Sequence, residues 1–306
     1  MRVIFVSNSG ESIPIVWRLR REGVDAGIYI HHPQYRHNYD GILPKLPVRD
    51  LKKQLRKTEL VIFDITRPNE RTKQDVILLK TFGLKSTLPS VFGPVADKLR
   101  KDHKVIGASA ITEELELDRH KGIEFAQKTG FAVPEYHKFK SLKDGVKFLK
   151  GQNDLWVFKP ENNQDLDLTY VEKFPGDILT KMLDEWVARI GDKCQYILQK
   201  KIEGAEISTE VWIGEQGTKH FNHTIESKRL MTGNLGPAIG SQSNTVFIKK
   251  DSNDTIGKTL LKMAAYLHKE GYIGPCDVNC IVSNGVPYFL EWTPRFGYDA
   301  LYCLLT

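Results

Sequence analysis

The first hundred residues alternate short apolar runs with amphipathic stretches, and this alternation constrains the fold more than any other feature of the chain. Val3-Ile4-Phe5-Val6 reads as a buried strand, followed by the loop Ser7-Asn8-Ser9-Gly10 and a helix over about 11–21. Gly27-Ile28-Tyr29-Ile30 and Leu60-Val61-Ile62-Phe63-Asp64 read as further strands, each with a helical stretch behind it. Alternation of this kind implies a parallel sheet covered by helices on both faces. Ligand-binding loops of such sheets lie beyond the carboxyl ends of the strands. Ser7-Asn8-Ser9-Gly10 and Asp64-Ile65-Thr66-Arg67 are therefore expected at a shared crevice.

From Glu113 the pattern changes. A helix over about 113–129 leads through Gly130 to Val133-Pro134, a second helix near 141–150, and a strand over Leu155–Lys159. Lys159 closes an apolar strand, where its ammonium either meets a phosphate or simply emerges at the strand end. A helix over about 176–190, a strand Tyr196–Lys200, a turn at Glu203-Gly204 and a strand Glu206–Ile213 follow. A chain of 306 residues is long enough for two domains, or for one domain with an inserted lobe.

The net charge of +6 is spread along the sequence and suits a small anionic substrate, such as a phosphorylated sugar or nucleotide. KKQLRK at 52–57 and DKLRKDHK at 97–104 read as solvated helix faces, because they lack the aromatics that punctuate a nucleic-acid stripe. No apolar run reaches the length of a membrane span, and MRVIFVSNSG starts a strand, so a cytoplasmic protein is expected. Cys194, Cys276, Cys280 and Cys303 are sparse and unpatterned; Cys276 and Cys280, on one face of a strand, read as buried thiols. HHPQYRH at 31–37 reads as a surface loop in preference to a metal cluster.

Chemistry concentrates in the last third. CDVNCIV at 276–282 and VPYFLEW at 286–292 read as two strands joined at Ser283-Asn284-Gly285, with Arg295 just beyond. A two-residue turn would pair Asp277 with Trp292 and leave Glu291 on the opposite face. A three-residue loop, with Gly285 in the left-handed position, gathers Asp277, Asn279, Phe289 and Glu291 on one face. The second register is favoured here, because two carboxylates on one face can share a hard cation such as Mg²⁺, while an arginine fork suits a phosphoryl group or an acyl phosphate. A half-buried hairpin with solvated polar residues is the alternative.

Several stretches, in order along nearly the whole chain, resemble the ATP-grasp ligases, and specifically phosphoribosylamine–glycine ligase. SNSGESIPIVWRL at 7–19 resembles the family's GxGGREHALAWKL, and VIGAS at 105–109 with LELDR at 115–119 resembles VFGPS and LEGSK. QKKIEGAEIS at 199–208 resembles EEFLxGEExS, ESKR at 226–229 with NLGP at 234–237 resembles DHKR and DxGP, and LEWTPRFGYD at 290–299 resembles LEFNARFGDP.

The resemblance implies an α/β chain: an N-terminal parallel-sheet domain over 1–112, then a two-lobed α+β ATP-grasp domain over 113–306, with a lid lobe over about 125–195 and a core lobe over about 196–306. It implies an ADP-forming ligase that joins a glycine-like carboxylate to an anionic, phosphoribosylamine-like amine, using ATP and Mg²⁺ or Mn²⁺. Lys159 and Arg119 would hold the phosphates, Gln199, Lys200, Lys201 and Ile202 would read the adenine edge, and Glu206 would accept from the ribose hydroxyls. Asp277, Glu291 and Thr293 would bind the metal, and Lys228 and Arg295 would stabilise the acyl phosphate and the tetrahedral intermediate. The chain departs from the family in a glycine-poor lid, PENNQDLDL at 160–168, in Thr293 where the family has asparagine, and in GPAIGSQSN at 236–244. It also ends at Thr306, where the family continues into a C-terminal lobe. These departures leave open a related ligase with another acceptor, such as a modified nucleotide, or a nucleotide-binding relative without catalysis.

Overall fold

The structure, a computed structural model, describes residues 1–65, 71–161, 169–249 and 254–297. The chain folds as two compact units. One combines Met1–Glu116, Ile207–Asn279 and the segment from Glu291; the other combines Leu117–Glu206 with Cys280–Leu290.

The first unit opens with β1 (Arg2–Ser7), α1 (Ile13–Arg21), β2 (Asp25–Ile30), α2 (Val48–Leu55), β3 (Leu60–Phe63), α3 (Lys73–Thr81), α4 (Phe92–Leu99), β4 (Lys104–Ile106) and α5 (Ala110–Leu117). The four strands form a parallel sheet in the order β2-β1-β3-β4, as the alternation requires. Successive side chains of a strand point to opposite faces. Ile4 and Val6 accordingly enter one core with α2, α3 and α4, whereas Val3 and Phe5 enter another with Ile13 and Val16 of α1. Phe296 packs into that second core, which fixes the segment after the Glu291 strand against the sheet.

The second unit holds α6 (Arg119–Thr129), β5 (Tyr136–Phe139), α7 (Leu142–Leu149), β6 (Trp156–Pro160), β7 (Tyr170–Val171), α8 (Asp177–Lys181), a π-helical turn Met182–Trp186, α9 (Val187–Ile190) and β8 (Tyr196–Lys200). Its antiparallel sheet runs β5-β8-β6-β7 over a core of Trp156, Phe158, Met182, Trp186 and Tyr196. The single helix expected over 113–129 is two. Asp118 leaves helical geometry and its carboxylate accepts from the backbone N–H groups of His120 and Lys121, so it ends α5 and caps α6.

The chain continues through β9 (Ala205–Gly214), β10 (Gly217–Arg229), β11 (Ala238–Lys249), α10 (Thr255–Lys269), β12 (Gly274–Ser283) and β13 (Val286–Thr293), with strands ordered β11-β10-β9-β12-β13. The unit boundaries fall inside α5, β9, β12 and β13. Cys276 and Cys280 are buried thiols outside any disulfide among the described residues, as expected; Cys303 lies outside the described residues. Lys52, Lys53, Arg56 and Lys57 are exposed, in keeping with a solvated face. His31 corrects the surface-loop expectation. It is fully buried, with Tyr29 Oη 3.1 Å from its Nδ1 and Asp75 Oδ1 2.6 Å from its Nε2.

Candidate active site

The β12–β13 hairpin turns on two residues, Asn284 and Gly285, both with positive φ. This corrects the three-residue loop, and Asn-Gly is the pair that such a turn favours because both positions require left-handed backbone. Taken alone, the turn would leave Thr293 and Asp277 on opposite faces. Yet the Asn279 amide donates to Thr293 Oγ1 at 3.3 Å, and the Thr293 hydroxyl is near enough to Asp277 to help lower its carboxyl. The pairing must therefore shift by one residue between the turn and the far end of the hairpin. Asp277, Asn279 and Thr293 share a face. Glu291 is exposed, whereas Asp277 and Asn279 are buried.

Asp277 Oδ2 accepts from Ser208 Oγ on β9 at 2.5 Å, and Oδ1 is buried with no hydrogen-bond partner among the described residues. Burial pushes its carboxyl up, while the Ser208 hydroxyl and the Arg295 charge pull it down. The sequence reading missed Glu210, also on β9 and buried. Its carboxylate accepts from Trp212 Nε1 at 2.9 Å and from the Gly297 amide at 3.2 Å. Burial, then the Asp277 charge, push Glu210 up to about 8. Its place two positions after Ser208, on the same face of β9, was the available signal.

Arg295 pairs with Glu116 of α5 at 2.8 Å, and its backbone amide donates to the Thr293 carbonyl at 2.8 Å. The Tyr272 hydroxyl donates to the carbonyls of Pro275 and Pro294, bracing the start of β12 against the segment that carries Arg295. Lys228, near the end of β10, pairs with Glu226 at 3.1 Å.

The remaining candidates lie in the second unit. Lys159 on β6 donates to Gln199 Oε1 on β8 at 2.7 Å, and Gln199 is buried. Arg119, the first residue of α6, donates through Nε to the Pro160 carbonyl at 3.0 Å. Arg119, Lys159 and Gln199 are thus gathered where β6 ends. Lys200 turns away to Asp154 at 2.7 Å, and Lys201 reaches the Glu172 carbonyl at 3.1 Å. The backbone N–H groups of Lys200 and Lys201 are given to the carbonyls of Glu135 and Leu155. Ile202 and Glu206 are half-buried. Lid residues 162–168, Thr66, Arg67 and the Tyr298-Asp299 end of the last motif lie outside the described residues.

At the N-terminal crevice, Ser12 Oγ donates to Asp64 Oδ2 at 2.5 Å, and the Gly10 amide to Ser7 Oγ at 2.9 Å. This ties the loop after β1 to the end of β3, the junction expected from the alternation.

Among the described residues no cluster of three or more His, Cys, Asp or Glu side chains could hold a metal by itself. The donors on the β12–β13 face nevertheless fit Mg²⁺. They are oxygens, one is a buried carboxylate oxygen without a partner, and Mg²⁺ is commonly held by one or two carboxylates plus substrate phosphates.

Solved structures of several ligases and synthetases share this fold over nearly the whole chain. Phosphoribosylamine–glycine ligase from Thermotoga maritima matches at 17% identity and TM-score 0.64, over 97% of this chain and 69% of that one. N5-carboxyaminoimidazole synthetase from Staphylococcus aureus, complexed with ADP, matches at 12% identity and TM-score 0.60, over 99% and 72%. D-alanine–D-alanine ligase from Bacillus anthracis, complexed with ATP, matches at 14% identity and TM-score 0.56, over 97% and 87%. No protein-family model matches the sequence, and no curated protein matches it. None of the helices described is long and apolar enough to cross a membrane.

Proposed function

We propose that the chain is an ATP-dependent, ADP-forming carboxylate–amine ligase. The observation that carries this reading is the oxygen face of Asp277, Asn279 and Thr293 within reach of the Arg295 charge, in a fold shared with ligases of several substrates. In this reading Asp277, Glu291 and Thr293 hold Mg²⁺ or Mn²⁺, which neutralises charge on the ATP phosphates. Arg119 and Lys159 hold the phosphates, and the Gln199–Ile202 segment reads the adenine edge. Because the N–H groups of Lys200 and Lys201 are occupied, their carbonyls and the Ile202 N–H serve there. Glu206 takes the ribose hydroxyls.

A substrate carboxylate attacks the γ-phosphorus of ATP, giving an acyl phosphate and ADP. An amine then attacks the acyl carbon, phosphate leaves with the bonding pair, and the nitrogen loses a proton to give the amide. Lys228 and Arg295 stabilise the anionic species of both steps, with Glu226 and Glu116 holding the two cations in place beforehand. The residue-by-residue likeness favours glycine and phosphoribosylamine as the substrates. A second reading, the same chemistry with another acceptor such as a modified nucleotide, is favoured by the segment 236–244. Where the resembling family has a glycine-rich substrate loop, most of that segment opens strand β11.

The test is ADP release from Mg-ATP with glycine and freshly generated phosphoribosylamine, beside Glu291→Ala. Turnover that needs both substrates and falls by about 100-fold or more in the variant is expected. Turnover unchanged in Glu291→Ala removes Glu291 from the site. Activity with a different carboxylate and amine but not this pair selects the second reading.

A further inference from the structure

A second cavity chemistry sits in the first unit, at the edge of the parallel sheet. A pocket of about 370 Å³ opens between the end of β2 and the start of α2. Three of its lining side chains are cationic: Arg36, Lys45 and Arg49. Opposite charge is nearby but does not fill the pocket. Asp40 takes up the Lys45 ammonium, and Asp50, 3.8 Å from Arg49, is 45% exposed.

The site is built rather than incidental. The Lys45 ammonium donates to the Arg36 carbonyl at 2.7 Å, and the Leu46 amide donates to the Ile28 carbonyl at 2.8 Å, so the wall is clamped to the sheet. Tyr29, which lines the floor, is held through His31 to Asp75 in a fully buried chain. Arg36 Nη2 is buried and has no hydrogen-bond partner among the described residues. A buried guanidinium N–H without an acceptor is unfavourable, and a small turn of the Arg36 side chain toward an anion in the pocket would satisfy it. The opening residues of α2, Val48 and Arg49, also line the pocket, and the N-cap Pro47 offers no side-chain acceptor. Helix N-termini present backbone N–H groups and positive potential to anions.

We propose that this pocket binds the phosphate group of a small organic phosphate, with Arg36 as the anchoring fork and Arg49 with the first turn of α2 completing the cradle. A phosphate offers more acceptor sites than a carboxylate to donors converging from three directions. The volume exceeds what inorganic phosphate needs, and the Ile30 and Leu46 side provides an apolar wall for the rest of the ligand. The proposal stands apart from the ligase reading and uses none of its residues.

The test is calorimetric titration of the full chain with inorganic phosphate at constant ionic strength, with acetate as the competing probe. Saturable phosphate binding is expected, weakened about tenfold by Arg36→Met and about threefold by Arg49→Ala, and unchanged by Lys269→Met, an exposed lysine at the end of α10. Arg49 is 85% exposed, so its variant keeps the test valid if Arg36→Met fails to fold. No saturable binding, binding lost in Lys269→Met but kept in Arg36→Met, an unaltered Arg49→Ala, or acetate binding as tightly as phosphate would each overturn the assignment.

Discussion

Gly204 stands in the turn between β8 and β9, and its missing side chain is a packing requirement. A Cβ there would lie 2.2 Å from the Val282 carbonyl oxygen and 2.9 Å from Ile281 Cγ2, so backbone would have to move. Gly204→Ala is expected to destabilise the chain by about 1–3 kcal/mol in urea unfolding, and a variant as stable as the parent would show that the turn yields freely. Gly297 is constrained by chemistry instead. A Cβ would sit 3.0 Å from Glu210 Oε2 and 3.8 Å from Asp277 Oδ2, which places this glycine against both acids of the candidate site. The glycine of the Arg295-Phe296-Gly297 motif is thus explained by the acid it faces, which the sequence reading passed over.

At the scale of elements, two buried glutamates organise helix and strand ends. Glu172 accepts from the Trp156 amide at 2.7 Å and from the Ile178 amide at 3.0 Å, joining β6 to the start of α8. Glu172→Ala leaves two buried donors unpaired, and a loss of about 3 kcal/mol is expected from equilibrium unfolding. Glu113 on α5 accepts from the Phe92 amide at the start of α4, and burial pushes its carboxyl up to about 8. A folded-state value above the unfolded 4.5 means that the folded state binds the proton more tightly. The stability this contributes is complete below about pH 4.5 and is lost as pH rises toward 8, with a slope of at most about 1.4 kcal/mol per pH unit. Glu113→Gln should flatten that decline when melting temperatures are compared at pH 5.5 and pH 8. An equally steep decline in the variant would place the titrating group elsewhere.

At the scale of the whole molecule, the ligase reading predicts that chelation of divalent ions abolishes ADP release and that Mg²⁺ or Mn²⁺ restores it. Turnover that persists in excess chelator would remove the metal from the mechanism. Much of this architecture was legible in sequence. Buried strands alternating with helices imply a parallel sheet because only that arrangement covers both strand faces, and β1 to β4 obey it. Lys159 at its strand end, the β12–β13 carboxylates and Arg295 were visible as residue types suited to phosphate and metal. Local pattern misread the helix break at Asp118, since a capping carboxylate looks like any other acid within an amphipathic run. It misread the hairpin too, because turn length is local whereas the pairing shift that returns Thr293 to the Asp277 face appears only in the assembled sheet. His31 and Glu210 became structural or chemical residues only once distant segments closed around them. The sequence by itself determined periodicity and residue chemistry, which are local properties of the chain. Which acids are buried, which are paired and which face a common side was decided by tertiary structure, because desolvation and hydrogen bonding depend on neighbours far away in sequence.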